Sequence, residues 1–330
     1  MLKLSEFDYP LPKDLIAQYP LKKREAARLL IVNRKTGRFI HAVFKDIRGV
    51  FEENDLLVLN DTKVLNCRLI GKKITGGKVE VLLTRRINGT TFSCLVKPSR
   101  TKVGEKLFFA NGVVKGFLSS RGHISFKQSD ADSIYDIGIV PLPPYIKRQP
   151  EEIDALYYQT VYAKNDGALA SPTACLHFTK SLVKDIQAEG VKLAYITLHV
   201  GLGTFRPVKC QDITSHKMDS EYFFIPDATA ALLSQTKTNG GKVVAVGTTS
   251  LRALEAYSGS RKEGNTDLFI YPGYRFKLVD CLLTNFHFPM TTLFMLVCAF
   301  AGRELMLKAY QEAVDRKYRF YSYGDAMLII

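Results

Sequence analysis

The sequence has few cysteines, and their spacing gives no sign of a metal site or a disulfide framework. Its six cysteines are scattered through the 330 residues and never occur as a CxxC pair. Structural zinc sites and small disulfide scaffolds both depend on closely spaced or evenly paired cysteines. We therefore expect a reducing, cytoplasmic setting and no bound metal.

Long apolar runs and targeting segments are missing as well. The longest apolar run, Leu293 to Ala301, has nine residues, whereas a membrane-spanning helix needs about 20. The first residues, Met-Leu-Lys-Leu-Ser-Glu, contain no signal-peptide core. These features predict a cytoplasmic protein that has no membrane partner.

Several familiar catalytic signatures are also absent. The sequence contains no Walker A motif, no HExxH and no GxSxG, so it does not support a P-loop nucleotidase, a zinc protease or an α/β-hydrolase. Gly201-Leu-Gly203 matches a dinucleotide-binding fingerprint only in part, because the third glycine position holds Arg206.

Acidic residues are scarce in one part of the chain. Residues 62–149 hold 16 Lys and Arg against 5 Asp and Glu, which is +11 of the total formal charge of +14. Residues 151–330, in contrast, hold 19 Lys and Arg against 18 Asp and Glu. Clustered basic residues favour a phosphate-rich partner, because binding releases counterions. The charge favours a nucleic acid, although a basic surface without a partner has the same composition.

The predicted elements indicate an α/β domain with an inserted β-barrel. Residues 1–61 contain an apolar hairpin and a buried strand. Residues 62–149 contain short apolar runs between turn signals such as Asn88-Gly89, which is typical of a small antiparallel barrel. Residues 150–330 alternate helical and strand patterns, as in a mostly parallel sheet. We predict a discontinuous α/β catalytic domain from 1–61 and 150–330, with 62–149 as a basic barrel.

Polar clusters follow three of the apolar runs in the predicted α/β domain. They are His199 to Arg206, Gly247 to Ser250, and Thr284 to His287. Ligands of open α/β sheets bind beyond the carboxyl ends of the strands, so we expect a binding site where these clusters meet. Taken singly, a turn, a helix cap and a hydrogen-bonded histidine explain them as well.

Three further segments carry titratable or basic residues. His177 stands just before a predicted helix, and His216 to Glu221 places a histidine and two acids within six residues. Such a density of titratable groups suits proton transfer, and it equally suits a solvated loop. In the predicted barrel, Lys97, Arg100 and Lys102 follow a strand and are candidates for phosphate contacts, or a plain basic turn.

Taken together, the segments resemble the S-adenosylmethionine:tRNA ribosyltransferase-isomerases of the queuosine pathway. The resemblance runs almost from end to end of the chain, and the ordered set is far more specific than any one segment. The matching segments are Phe7–Pro12, Leu15–Gln18, Leu57–Val64, Pro141–Ile146, Tyr158–Ala163, Pro172–Phe178, Thr197–Val208, Ala245–Ser250, Thr284–His287 and Tyr323–Leu328.

The resemblance implies a reaction in which S-adenosylmethionine donates its ribosyl group rather than its methyl group. The acceptor is 7-aminomethyl-7-deazaguanine at the wobble position of certain tRNAs, and the product is epoxyqueuosine with release of adenine and methionine. S-adenosylmethionine is then a consumed co-substrate, and no cofactor is implied. The resemblance leaves the oligomeric state open.

The resemblance also implies site residues. The sulfonium makes the ribose C5′ hydrogens acidic, so a positioned base starts the reaction, and ring opening, attack by the aminomethyl nitrogen and epoxide closure follow. Candidates for the general base and acid are His177, His199, Glu221 and His287. Candidates for substrate binding are Asn60, Asp61, Arg206 (for the methionine carboxylate), Thr248, Thr249, Ser250 and Asn285, and those for tRNA binding are Lys97, Arg100 and Lys102.

Two positions depart from the family pattern, and two other functions remain open. Cys175 stands where the family usually has glycine, and Asp219 where it has a second histidine. A cysteine at a tight turn can narrow the pocket, and position 219 supplies no imidazole here. One alternative function is that of a tRNA methyltransferase, which would release S-adenosylhomocysteine. The other is a non-catalytic RNA-binding protein whose affinity falls steeply with salt.

Overall fold

The computed structural model describes residues 1–201, 203, 207–257, 259 and 261–330. They divide into two compact units. The first consists of Met1–Lys63, Pro144–Arg148 and Gln159–Ile330, and the second of Val64–Pro143 and Gln149–Tyr158. The segment Gln149–Tyr158 groups with the second unit, whereas the sequence analysis assigned residues from 150 onward to the α/β domain. In the part of the chain described, no helix has the length and apolar character needed to cross a membrane.

The described residues form seventeen strands and seven α-helices. The strands are β1 (Arg28–Val32), β2 (Phe39–Val43), β3 (Leu56–Asn60), β4 (Thr62–Val64), β5 (Arg68–Lys73), β6 (Lys78–Arg86), β7 (Thr91–Lys97), β8 (Lys106–Phe109), β9 (Val114–Ser120), β10 (His123–Phe126), β11 (Asn165–Ala168), β12 (Lys192–Leu198), β13 (Glu221–Phe224), β14 (Val243–Val246), β15 (Glu263–Thr266), β16 (Cys281–Asn285) and β17 (Ala326–Ile329). The helices are α1 (Gln128–Asp132), α2 (Glu152–Tyr157), α3 (Lys180–Ala188), α4 (Asp227–Thr238), α5 (Thr248–Tyr257), α6 (Thr292–Ala301) and α7 (Arg303–Asp315).

The first unit is built on a nine-stranded sheet in the order β15-β13-β12-β3-β14-β16-β17-β1-β2. Its four adjacent strands β12, β3, β14 and β16 are parallel, so their carboxyl ends lie along one edge. The predicted α/β fold class is confirmed, and the predicted β1–β2 hairpin is present. The sheet as a whole is mixed, because β13, β15, β17 and β2 add antiparallel pairings around the parallel centre.

Apolar layers cover both faces of this sheet, as expected where parallel strands are buried on two sides. In β3, Leu56 and Val58 face a layer that includes residues of α5, α6 and α7. Leu57 and Leu59 face the opposite layer, which includes Phe178 and residues of α3. The two-residue period of a strand therefore sends successive leucines and valines into different cores.

The second unit contains a closed barrel in the order β10-β7-β6-β5-β8-β9. All six neighbouring pairs are antiparallel, which confirms the predicted antiparallel barrel. Alternate residues of β6, among them Val79 and Val81, are buried in its interior. A Cβ at Gly71 would lie 2.5 Å from the carbonyl oxygen of Phe108, so β5 and β8 approach this closely only with glycine there.

Candidate functional site

A pocket lies in the first unit at the carboxyl edge of the parallel strands. Its cavity volume is about 50 Å³, which is smaller than the range of about 300–1,000 Å³ that is typical of small-molecule sites. All three predicted clusters contribute to it among the described residues. The cluster after β12 contributes Val200, the one after β14 contributes Gly247, Thr248 and Thr249, and the one at the end of β16 contributes Thr284 to His287. The lining residues are Tyr145, Ser171, Pro172, Thr173, Ala174, Val200, Gly247, Thr248, Thr249, Thr284, Asn285, Phe286, His287, Leu293, Tyr321 and Ser322.

Asn60 lies behind the pocket, not in it. Its Nδ2 donates to the carbonyl oxygen of Leu198 (3.0 Å) and to Oγ1 of Thr249 (3.2 Å). Its Oδ1 accepts from the backbone N–H groups of Thr62 and Leu198, both at 3.1 Å. These four bonds use the two donors and two acceptor sites of a carboxamide. Asn60 therefore positions its neighbours and has no capacity left for a ligand.

The beginning of α5 forms one wall of the pocket. Gly247 joins β14 to α5 with a φ of +92°, a conformation that glycine adopts without strain. Thr248 and Thr249 follow and line the pocket, and the first N–H groups of a helix have no partner within it. Such N–H groups favour an anion or a polar ligand edge. Ser250 instead donates its hydroxyl to the carbonyl oxygen of Val246 at 2.8 Å and lies outside the lining.

Asn285 connects the pocket to His177. Oδ1 of Asn285 accepts from the Thr173 hydroxyl at 2.9 Å, and Nδ2 donates to Nε2 of His177 at 3.1 Å. Because Nε2 accepts, the imidazole is neutral with its proton on Nδ1. Burial lowers the pKa of His177 to about 4, and its ring packs on that of Phe44 at 4.9 Å. His177 thus orients Asn285 from behind the pocket wall.

Of the four predicted acid–base candidates, His287 alone lines the pocket. Its Nε2 lies 2.9 Å from the Thr284 hydroxyl. Its backbone is fixed by the hydroxyls of Tyr310, which accepts from the N–H of His287 at 3.1 Å, and of Tyr9, which donates to its carbonyl oxygen. Burial lowers the pKa of His287 to about 3. At neutral pH the pocket therefore contains an uncharged imidazole.

His199 and Asp61 form a separate polar group at the ends of β12 and β3. Nδ1 of His199 lies 2.8 Å from the Thr62 hydroxyl, and burial lowers the pKa of His199, an effect that the nearby Asp61 carboxylate opposes. Asp61 accepts from the Thr197 hydroxyl at 2.7 Å and from Nδ2 of Asn165 at 3.0 Å. Neither His199 nor Asp61 belongs to the lining of the pocket.

Glu221 and His216 have different surroundings in the structure. Glu221 begins β13, where it is buried, forms an ion pair with Arg252 and accepts from the N–H of Gly201 at 2.8 Å. His216 packs on Phe269 instead, with ring centroids 5.2 Å apart. The strand β13 begins at position 221, after the segment that contains His216. Arg206 lies outside the residues that the structure describes.

An aromatic wall of the pocket was missed by the sequence analysis. Tyr321 has a φ of +74°, which is rare for a bulky residue. Its ring lies 4.1 Å from that of Tyr145 and 3.9 Å from that of Phe288, and the Tyr145 hydroxyl is hydrogen-bonded to Ser322. Tyr145 belongs to the segment Pro141–Ile146, whose match to the family was the only available signal.

Ser171 is a second residue that the sequence analysis missed. It lines the pocket and is 5% exposed. Its Oγ is buried without a hydrogen-bond partner among the described residues. A buried hydroxyl without a partner is uncommon, because losing water without a replacement bond costs free energy. A ligand in the pocket would supply the partner that this hydroxyl lacks.

Comparison with known proteins identifies the family. The family described as "Queuosine biosynthesis protein" matches residues 4–329 of this chain. The chain belongs to this family.

Curated relatives and a solved structure agree with this assignment. An S-adenosylmethionine:tRNA ribosyltransferase-isomerase from Sulfurihydrogenibium sp. is 52% identical over 336 residues, which is 100% of both chains. The protein of the same name from Citrifermentans bemidjiense is 50% identical over 338 residues and 99% of both chains. The crystal structure of an S-adenosylmethionine tRNA ribosyltransferase from Thermotoga maritima shares 36% identity, with a TM-score of 0.58, and covers 98% of this chain and 100% of that one.

Cys175 and Asp219, the two positions expected to depart from the family pattern, are not among the lining residues of the pocket. Cys175 is buried next to Ala174, and its thiol lies 3.6 Å from the carbonyl oxygen of Val246. Burial raises the pKa of Cys175 to about 11, so its thiol stays protonated. Asp219 packs close to Gly203, where a Cβ would lie 2.6 Å from the Asp219 Cβ.

The candidate tRNA-binding residues are all in the second unit and all exposed. Lys97 ends β7, and Arg100 and Lys102 follow in the turn that leads to β8. The backbone N–H of Lys102 donates to the Glu105 carboxylate at 3.1 Å.

The two buried histidines predict a loss of stability in mild acid. An unfolded histidine has a pKa near 6.5, whereas the folded values are about 4 for His177 and about 3 for His287. Below pH 6.5 each histidine takes up a proton in the unfolded chain but not in the folded chain. The free energy of unfolding therefore decreases as the pH is lowered. Each histidine contributes a slope of about 1.4 kcal/mol per pH unit between its two pKa values.

Urea unfolding at pH 7, 6 and 5 measures this slope. His287→Asn is expected to make the slope shallower by about 1.4 kcal/mol per pH unit below pH 6.5, since one of the two protonation sites is gone. An unchanged slope in the variant would mean that His287 is accessible to protons in the folded state.

Proposed function

We propose that this protein transfers the ribosyl group of S-adenosylmethionine onto 7-aminomethyl-7-deazaguanine at the wobble position of tRNA and isomerises it to give epoxyqueuosine. Adenine and methionine are the other products. The observation that carries the proposal is the pocket at the carboxyl edge of the parallel strands, in a chain that belongs to the queuosine biosynthesis family over residues 4–329. The names of its relatives, ribosyltransferase-isomerases that are about as long as this chain, support the same reaction.

The walls of the pocket suit the parts of the donor. Tyr145 and Tyr321 offer aromatic surface, against which adenine stacks favourably. The N–H groups of Thr248 and Thr249 at the beginning of α5 suit the methionine carboxylate, because the end of a helix carries a partial positive charge. Arg206 remains a further candidate for that carboxylate.

His287 is the proposed partner of the reacting ribose. Its imidazole is neutral at physiological pH because burial lowers its pKa to about 3. The other lining residues of the pocket include no Asp, Glu, Lys or Arg. A neutral imidazole is able to accept a hydrogen bond from a ribose hydroxyl without first losing a proton. To take the C5′ proton it needs its pKa raised when the donor binds, because an effective general base has a pKa near the working pH. His177 acts through Asn285, and Glu221 acts through Gly201, so we propose that both are positioning residues.

Incubation with S-adenosylmethionine and tRNA that carries 7-aminomethyl-7-deazaguanine tests the function. Nucleoside mass spectrometry is expected to detect epoxyqueuosine, with one adenine and one methionine released per product. Unmodified tRNA is the control and should release no adenine. Methylated tRNA together with S-adenosylhomocysteine would contradict the proposal and identify a methyltransferase. Binding of tRNA without any turnover would contradict it in favour of an RNA-binding protein.

Ser171→Ala separates ligand binding from folding. The Ser171 hydroxyl has no partner among the described residues, so its removal should leave the free energy of unfolding unchanged or slightly raise it. If the donor forms a hydrogen bond with that hydroxyl, the Kd of the Ser171→Ala variant for S-adenosylmethionine should be about threefold to tenfold higher than that of wild type. This increase corresponds to the loss of one hydrogen bond.

Ser250→Ala is the matched control for this change. Its hydroxyl already donates to the carbonyl oxygen of Val246 at 2.8 Å, so its loss should lower stability by about 1 kcal/mol and leave the Kd of the donor unchanged. Calorimetric titration with S-adenosylmethionine and urea unfolding measure the two quantities. Equal donor affinity in wild type and Ser171→Ala would remove Ser171 from the site.

A further inference from the structure

The outer face of the barrel carries an ordered set of basic and apolar side chains. Inward and outward residues alternate along β5, β6 and β8, and the outward ones include Ile70, Lys72, Lys78 and Phe108. In the strand register, Lys72 lies opposite Phe108 on one side and opposite Lys78 on the other. Lys97 of β7 completes the set. We call Ile70, Lys72, Lys78, Lys97 and Phe108 the barrel face.

Two lysines stand directly opposite each other on this face. Like charges at opposed positions of neighbouring strands destabilise a sheet, so the pair of Lys72 and Lys78 is unfavourable for the folded barrel by itself. Among the described residues, neither lysine has a carboxylate within ion-pair distance, and the same holds for Lys97. An anion bound from solution would therefore reduce the repulsion between Lys72 and Lys78.

Neighbouring basic residues are neutralised, which sets these three lysines apart. Arg68 forms an ion pair with Glu80 at 2.8 Å, and Lys73 forms one with Glu105 at 3.0 Å. Glu80 lies opposite Lys97 in the register but directs its carboxylate to Arg68. The acidic side chains next to the barrel face are thus already engaged, and its lysines are left for a partner.

The apolar residues of the barrel face indicate which class of anionic ligand it binds. Ile70 is 50% exposed, and Phe108 is partly exposed beside Lys72 in a surface groove that all five residues line. Lysines bordering an exposed aromatic ring are typical of surfaces that bind single-stranded nucleic acid, because phosphates meet the charges while a base stacks on the ring. A free anion such as inorganic phosphate would make no use of the ring.

We propose that the barrel face binds a single-stranded segment of tRNA, with phosphates against Lys72, Lys78 and Lys97 and one base stacked on Phe108. This inference rests on the proposed function, in which tRNA is the substrate. It shifts the tRNA contact from the turn at Arg100 and Lys102 to the outward rows of β5, β6 and β8.

Binding of a tRNA transcript to the full-length protein, followed by fluorescence anisotropy at several salt concentrations, tests the proposal. In Lys72→Gln/Lys78→Gln, the slope of log K against log[salt] should become shallower by about 1.4, since two phosphate contacts to a single strand are lost. The affinity near 0.1 M salt should fall roughly tenfold or more. Turnover at saturating tRNA should keep its kcat, while the KM for tRNA rises.

Lys35→Gln/Lys45→Gln is the matched control, because it removes the same charge from exposed positions of the first unit. It should leave the slope as in wild type. Phe108→Leu keeps an apolar side chain but removes the ring, so it should weaken binding about fivefold or more without changing the slope. Circular dichroism and thermal melting establish that each variant is folded.

Three results would overturn the barrel face as a tRNA site. The first is a lysine double variant whose affinity and slope match those of its control. The second is unchanged affinity in Phe108→Leu, which would remove the stacked base. The third is a variant that binds tRNA normally but loses binding to vesicles of anionic phospholipid, which would identify a membrane surface. If the wild-type protein binds tRNA but forms no product, the proposed function is wrong. The tRNA affinities of the lysine double variant and its control still test the barrel face in that case.

Discussion

The hydrogen bonds of the Asn60 carboxamide hold the sheet edge on which the pocket depends. Through them a single buried side chain joins the ends of β3 and β12 to the beginning of α5, by way of Leu198, Thr62 and Thr249. Breaking one of these bonds would leave a buried polar group unsatisfied, at a cost of about 1–3 kcal/mol. The strand edge and the N–H groups of α5 are therefore fixed relative to each other before any ligand arrives, which reduces the ordering cost of binding.

Burial then sets the charge state of the pocket. His287 in the lining and His177 behind it are both kept neutral, since each pKa lies well below its ordinary value. The donor brings a sulfonium, and a neutral lining avoids repelling that positive charge. The orphaned Ser171 hydroxyl and the unusual backbone of Tyr321 lie in the same lining. Unsatisfied groups and rare backbone conformations concentrate at functional sites, where the surrounding fold offsets their cost.

Sequence patterns predicted the α/β fold class and the inserted antiparallel barrel, because strand alternation and turn residues are local signals. They did not predict β17, which inserts between β16 and β1 from the far end of the chain. Site residues were harder, since a side chain's partners are set by tertiary contacts. Asn60 was expected to bind substrate, yet its amide is fully used inside the protein. Ser171 and Tyr145 had no pattern of their own, because what marks them is an absent partner in one case and ring packing in the other.

We expect S-adenosylmethionine to bind at the carboxyl edge of β3, β14 and β16. A crystal structure of the complex with the donor, or with an unreactive analogue, tests it most directly. The donor carboxylate is expected at the N–H groups of Thr248 and Thr249, with the ribose beside His287 and a hydrogen bond to Oγ of Ser171. A donor bound instead in the separate pocket that includes His216, with the strand edge empty, would contradict it.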